Sequence, residues 1–297
     1  MKPKVWFNGK LIGWEECRIH VTSYSLHYGA AAFEGVRFYE TAKGIALFRL
    51  KDHIKRLVKS AKILGMKLEY SENQLINAAK QTVKASKMKF GYLRPIVFYE
   101  KSELYVHASD SPVNVAMIIL PWKRYLKNNA VKIMASSFMR LNPKSVPMEA
   151  KVSGYYANSL MAILEARKNG YDEALLVDYR GNVAEGPAEN FFIVKNNVLT
   201  TPPLGSILPG ITRHSIIEIA KDNKMKVQEK NFKLEYSKNA DEAFFTGTGT
   251  EITPIVQIDK SKIGNGKIGV VTQKLIKLFR GAVSGKNKKY EKWLDYV

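Results

Sequence analysis

Ala150-Lys151-Val152-Ser153-Gly154-Tyr155-Tyr156 opens the stretch whose reading decides this chain. A helical run follows, and the stretch closes on a polar hairpin, Asp178-Tyr179-Arg180-Gly181-Asn182, which delivers Glu185-Gly186 and then Glu189-Asn190. No charge follows Lys151 for over a dozen residues, the small Ser153-Gly154 pair leaves space beside it, and an apolar helix begins at once. A lysine so placed is expected to lose proton affinity and become a usable nucleophile. The plain alternative is one surface cation among 47 lysines and arginines.

Working outward, Tyr156, Leu160, Ile163, Leu164 and Arg167 carry helical spacing over Ser153 to Asn169, ended by Gly170. Glu173 to Val177 reads as a buried strand and Asn190 to Val194 as the next. Pro209-Gly210-Ile211-Thr212-Arg213 has the form of a helix start, and Ala243 to Thr246 is a strand running into Gly247-Thr248-Gly249-Thr250. A last helix spans about Val271 to Val283.

Upstream, Asn8-Gly9 between Val5-Trp6-Phe7 and Lys10-Leu11-Ile12 is a strong hairpin signal. Phe33 to Tyr39 and Ile45 to Leu50 read as strands, and a helix from Asp52 to Gly65 carries Arg56 beside its apolar stripe. Ser71 and Gln74 form a capping-box pattern. Tyr92 to Tyr99 is a strand whose Pro95 is expected at an edge or a bulge, and Val113 to Leu120 is a buried strand. The organisation expected is a domain over 1–121, a linker over 122–129, and a second domain over 130–297 carrying Lys151.

The 297 residues suffice for one large or two medium domains. No apolar run is long enough to span a bilayer, and the N-terminus lacks a signal-peptide core. Cys17 is the single cysteine, so no intrachain disulfide and no zinc knuckle is expected, and no metal site. A cytoplasmic setting follows. The formal charge of +20 raises nucleic-acid binding as a rival function, but the lysines are spread through amphipathic helices; a solvated basic surface that steers anionic substrates is the preferred reading.

Two stretches look like anion seats. Gly210-Ile211-Thr212 stands at a helix start, where unpaired backbone N–H groups favour a phosphate, and Gly247-Thr248-Gly249-Thr250 offers successive N–H groups and hydroxyls after a strand. Each taken alone reads more readily as a tight turn with a capping threonine. Together with a lysine, a tyrosine five residues on and a carboxylate beyond the next strand, they supply what a pyridoxal phosphate group asks for.

The stretches Tyr28-Gly29-Ala30-Ala31-Ala32-Phe33-Glu34-Gly35-Val36-Arg37, Tyr92-Leu93-Arg94-Pro95, Ala150-Lys151, Ala184-Glu185-Gly186-Pro187-Ala188-Glu189-Asn190, Leu208-Pro209-Gly210-Ile211-Thr212-Arg213 and Gly247-Thr248-Gly249-Thr250-Glu251-Ile252-Thr253-Pro254 resemble, in order, the signatures of the branched-chain-amino-acid aminotransferases. That family consists of pyridoxal-phosphate enzymes of fold type IV. The resemblance implies an α+β fold of two α/β domains, like that of D-amino-acid aminotransferases, and a transaminase that moves the amino group of L-leucine, L-isoleucine or L-valine to 2-oxoglutarate.

By the same resemblance, Lys151 is the Schiff-base lysine, Glu185 holds the ring nitrogen protonated, and Tyr156 bonds the ring hydroxyl. Arg56, Ile211, Thr212, Gly247 and Thr248 cradle the phosphate. Tyr92, Gly249 and Thr250 meet the substrate carboxylate, and Tyr28, Phe33, Arg94 and Tyr125 line the side-chain pocket. Tyr28 is lent by a neighbouring subunit of a homodimer or higher oligomer, and Glu189 is structural. Glutamate and the matching 2-oxo acids are the other small-molecule partners, with no nucleic acid and no membrane. D-Amino-acid aminotransferase and aminodeoxychorismate lyase, which share the fold type, are the rival activities.

Overall fold

The computed structural model describes residues 3–100, 106, 111–122 and 130–297. Its contacts divide the chain into two units: one is Met1–Lys123, Ala150–Tyr155 and Gly281–Val297, the other Arg124–Glu149 and Tyr156–Arg280. The domains expected from sequence were continuous. Here Lys151 and the C-terminal segment join the first unit instead, because each is hydrogen-bonded to its strands.

In the first unit, β1 (Val5–Phe7) and β2 (Lys10–Ile12) form the expected hairpin, with Asn8 at φ 43° and Gly9 at φ 92°, as a tight two-residue turn requires. A short helix α1 (Tyr24–Tyr28) leads to β3 (Ala31–Phe33), β4 (Val36–Thr41) and β5 (Gly44–Phe48). Helices α2 (Leu50–Ile63) and α3 (Glu72–Ser86) follow, then β6 (Gly91–Tyr99) and β7 (Val113–Leu120). The capping box of Ser71 and Gln74 opens α3 as expected.

The antiparallel sheet runs from the C-terminal strand Leu294–Tyr296 through β5, β4, β6, β7 and β1 to β2, with β3 also on β6. Leu294 pairs with Phe48, which ties the end of the chain into this sheet. Leu50, Ile54, Leu57 and Ala61 of α2 are fully buried at helical spacing, against Val36, Phe38, Leu93 and Val97. Pro95 lies in the interior strand β6, not at an edge. Its carbonyl accepts from Glu34 N at 2.8 Å, so its missing N–H points to the same side, where the neighbouring strand breaks between β3 and β4.

The second unit contains β8 (Val131–Ala135), α4 (Tyr156–Lys168), β9 (Glu173–Leu175), β10 (Asn190–Lys195), β11 (Val198–Thr201) and α5 (Ile211–Asp222). It continues with β12 (Lys226–Glu229), α6 (Leu234–Lys238), β13 (Glu242–Gly247), β14 (Glu251–Ile258), β15 (Ser261–Lys262) and α7 (Val270–Val283). The mixed sheet has the order β12-β11-β10-β13-β14-β8-β9. Val131, Phe191, Ile193, Phe245 and Ile255 fill its core. In α4 the buried residues are Ser159, Ala162 and Ala166, whereas Leu160 and Leu164, which defined the helix in the sequence, are 55% and 57% exposed. Small residues let α4 lie close against Ala174 and Leu176.

Candidate active site

In the first unit, four candidate residues gather around Lys151. Its backbone is tied on both sides: Phe33 N donates to Lys151 O at 3.1 Å and Lys151 N donates to Ser60 Oγ at 2.9 Å. Ser60 Oγ donates in turn to Arg56 O at 2.8 Å, linking the lysine to α2. The next turn of chain passes Gly29, whose carbonyl accepts from Gly154 N at 2.9 Å. A Cβ on Gly29, at φ 64°, would lie 2.7 Å from Gly154 Cα, so only glycine allows this approach.

The Lys151 Nζ stands 4.8 Å from the centre of the Phe33 ring, and the Arg94 guanidinium 4.6 Å from the same ring. Arg94 Nη2 donates to Tyr92 Oη at 3.1 Å, and Tyr92 stacks on Trp122 at 4.4 Å. Burial first, then repulsion from Arg56, lowers the Lys151 amine from 10.5 to about 8, with Glu34 and Tyr92 opposing the shift. This is the loss of proton affinity expected from the uncharged stretch after Lys151.

Arg56 has partners that the sequence reading missed. Its Nε donates to Glu34 Oε1 at 2.5 Å and its Nη2 to Oε2 at 3.0 Å, while His53 Nδ1 lies 2.7 Å from Oε2. Tyr28 is on α1, 41% exposed, with its ring 4.6 Å from that of Tyr24. Tyr125 falls outside the described residues.

The second unit gathers the other group around Glu185. Arg140 Nε donates to Oε1 at 2.8 Å, Asn190 Nδ2 to Oε2 at 2.9 Å, and Leu208 N to both oxygens at 3.1 and 3.2 Å. Asn190 Nδ2 also donates to Leu208 O at 2.9 Å, which fixes the loop that enters α5. Gly210 is the N-cap of α5, with no side-chain cap, and Ile211 and buried Thr212 form its first turn. A Cβ on Gly210 would stand 1.8 Å from Asn190 Oδ1.

Asn190 pairs with Thr246 across β10 and β13, so the Gly247-Thr248-Gly249-Thr250 turn follows directly beside it. Tyr156 begins α4, one turn before Ser159, whose Oγ donates to Pro187 O at 2.7 Å and anchors that helix to the Glu185 loop. Glu189 Oε2 accepts from Ala188 N at 3.0 Å. Arg140 and Asn190 carried no assigned role in the sequence reading; Asn190 was visible as the last residue of a quoted motif, whereas Arg140 sits just before the irregular segment over Asn142 to Pro147.

Each unit holds residues whose chemistry suits part of a pyridoxal phosphate group. A lysine of lowered proton affinity offers the amine, and Glu185 is an acceptor already oriented by three donors. The α5 start lacks a side-chain cap, as a phosphate seat would, and the buried Thr250 Oγ1, assigned to the substrate carboxylate, has no hydrogen-bond partner among the described residues.

Residues 31–258 match the model of the amino-transferase class IV family. The chain belongs to that family. This class IV aminotransferase is 40% identical over 297 residues to the branched-chain-amino-acid aminotransferase of Pseudomonas aeruginosa, covering 99% of this chain and 97% of that one. Among solved structures, the branched-chain aminotransferase of the archaeon Thermoproteus uzoniensis, with norvaline, superposes at TM-score 0.95 with 41% identity and 99% of each chain covered. The T.th. branched-chain amino acid aminotransferase complexed with N-(5'-phosphopyridoxyl)-L-glutamate superposes at 0.96, with 40% identity, 99% of this chain and 98% of that one. The α+β fold expected from sequence is thus the class IV aminotransferase fold.

Proposed function

We propose that this class IV aminotransferase moves the amino group of L-leucine, L-isoleucine or L-valine to 2-oxoglutarate, reversibly, with pyridoxal 5'-phosphate as cofactor. The observation that carries the reading is Lys151, a buried amine over the Phe33 ring, lowered to about 8 by burial and by repulsion from Arg56 and Arg94. Relatives of nearly equal length bearing the branched-chain name support it.

When bound, the cofactor supplies an aldehyde carbon that bonds an amine and a ring that takes up the electron pair left by the departing α-proton. The chain supplies the rest. At pH 7 roughly one in ten amines with this lowered pKa is unprotonated, against fewer than one in a thousand for an ordinary lysine. In this reading Lys151 Nζ would be the residue that anchors the cofactor, and as a free amine it would take the substrate's α-proton as base and return a proton as acid.

Glu185 would accept from the protonated ring nitrogen, with its carboxylate held in place by the Arg140 Nε donor. Tyr156 meets the ring hydroxyl. Arg56, Ile211, Thr212, Gly247 and Thr248 hold the phosphate, and Tyr92, Gly249 and Thr250 the substrate carboxylate. Phe33 offers an aliphatic chain an apolar face and Arg94 offers the distal carboxylate of glutamate a cation, with Tyr28 and Tyr125 completing the pocket. Norvaline and a glutamate adduct in the two solved relatives span the same pair of chemistries.

The first product leaves before the second substrate enters, so the kinetics are ping-pong. The enzyme acts in the cytoplasm as a homodimer or higher oligomer. Supporting this, Leu160, Met161 and Leu164 of α4 are exposed, and beside them Met139, whose carbonyl accepts from Asn158 Nδ2, gives a second copy an apolar face to cover. Among the described residues no helix is long and apolar enough to cross a membrane. The test offers L-leucine, D-alanine and aminodeoxychorismate to the purified enzyme. Turnover of L-leucine with 2-oxoglutarate is expected; turnover of either of the others without L-leucine would overturn the assignment.

A further inference from the structure

Glu34 is fully buried in the first unit, at the two-residue break between β3 and β4. Its carboxylate faces four donors: Arg56 Nε at 2.5 Å on Oε1, and Arg56 Nη2 at 3.0 Å, His53 Nδ1 at 2.7 Å and Gly35 N at 3.3 Å on Oε2. A carboxylate at this depth is costly unless every lone pair is answered. Burial alone would raise its pKa, but the charges and hydrogen bonds of Arg56 and His53 outweigh that and hold it well below the usual carboxylate range.

An ionised carboxylate only accepts, so the proton in the His53 contact sits on Nδ1. Burial pushes the imidazole below its ordinary 6.5, so at neutral pH His53 is the uncharged Nδ1–H tautomer. His53 and Arg56 stand three residues apart on α2 and reach Glu34 from one face of that helix. The two-toothed contact fixes the plane of the guanidinium as well as its position. Glu34 and His53 have no part in the reaction described above.

We propose that Glu34 and His53 are positioning residues for the cofactor phosphate: together they clamp the Arg56 guanidinium in the orientation in which it meets that phosphate. The inference rests on the assignment of Arg56 to the phosphate seat. It differs in sign from a purely electrostatic role, because removing a nearby negative charge would by itself strengthen binding of a phosphate dianion.

The test titrates apoenzyme with pyridoxal phosphate and, separately, with pyridoxal, following intrinsic fluorescence. Hydrogen bonds to charged groups of this kind correspond to about tenfold or more in affinity. Glu34→Gln is therefore expected to weaken pyridoxal phosphate binding by about tenfold or more while leaving pyridoxal within about twofold. His53→Leu is expected to show the same selective loss, and His53→Asn, whose amide nitrogen can stand where Nδ1 stands, to retain binding within about threefold of wild type.

Unchanged or tighter phosphate binding in Glu34→Gln, or an equal loss for pyridoxal, would overturn the clamp. If Glu34→Gln does not fold, the His53 pair decides, and equal affinities in the Leu and Asn variants overturn it. Arg56→Lys that binds pyridoxal phosphate like wild type would also overturn it, by removing the phosphate assignment. Wild-type protein that binds neither ligand would overturn the proposed function itself, and the clamp with it.

Discussion

Arg140 Nε donates to Glu185 Oε1 at 2.8 Å, in an ion pair whose side chains are 8% and 5% exposed. Removing one partner of such a pair strands the other, at a cost of about 3 kcal/mol or more. Arg140→Met is expected to lower unfolding stability by that order, and to reduce kcat because Glu185 keeps only Asn190 Nδ2 and Leu208 N to orient it toward the ring nitrogen. Urea unfolding and steady-state kinetics with L-leucine check the two halves separately.

Gly210→Ala places a methyl carbon where Asn190 Oδ1 lies, 1.8 Å from its ideal position. The asparagine must move, and its bonds to Glu185 and Leu208 move with it. Overpacking at such a site costs about 1–3 kcal/mol, and pyridoxal phosphate affinity is expected to fall as well. Stability measured in Gly210→Ala and in Gly210→Ala/Asn190→Ala should show partial recovery in the double variant, where the clash is gone.

Glu173 is fully buried, with Oε1 accepting from Ala174 N at 3.0 Å and Oε2 without a hydrogen-bond partner among the described residues. Burial raises its carboxyl from 4.5 to about 7. Between those values the folded protein holds a proton that the unfolded chain has lost, so this group's contribution to stability falls as pH rises through that window and is flat above it. Glu173→Gln is expected to remove that slope and to be the more stable protein at pH 8, by roughly 3 kcal/mol at most. Thermal unfolding of apoenzyme at pH 5 and pH 8 measures it.

Lys151 has the opposite sign. Its folded amine titrates at about 8 and the unfolded one near 10.5, so between those values the unfolded chain binds the extra proton and apoenzyme stability rises with pH. Below pH 8 the protein carries the whole penalty of a buried ammonium. Lys151→Met apoenzyme is expected to be more stable than wild type at pH 7 and to lose the rise between pH 8 and 10, as urea unfolding at the two values would show.

Local signals in the sequence were reliable guides to local structure. Asn8-Gly9, the capping box at Ser71 and the spacing of Ile54, Leu57 and Ala61 each produced the element they announce, because each acts within a few residues. Pairings between distant residues were not legible. Leu294 on Phe48 and Phe33 on Lys151 join segments far apart in sequence, and they are why Lys151 and the C-terminus belong to the first unit. In α4 the apolar stripe is the exposed face, since Ser159, Ala162 and Ala166 permit a closer approach than leucines would.

The same division holds at the site. Lys151 and the Gly210-Ile211-Thr212 turn could be singled out as candidates because glycine, a helix start and an isolated lysine leave marks in sequence, and Glu185 because it stands in a motif that carries the family resemblance. Glu34 and His53 could not, because a carboxylate in an alternating strand and a histidine on a helix give no sign that they meet 19 residues apart. Arg140 was hidden in the same way, 45 residues from the glutamate it pairs with.

The account turns on Lys151 as the residue that carries the cofactor. Holoenzyme reduced with borohydride and digested should give one peptide bearing the phosphopyridoxyl mass, the one that contains Lys151, and the visible absorption band should be absent from Lys151→Ala. A phosphopyridoxyl group on any other lysine, or an unchanged visible band in Lys151→Ala, would contradict it.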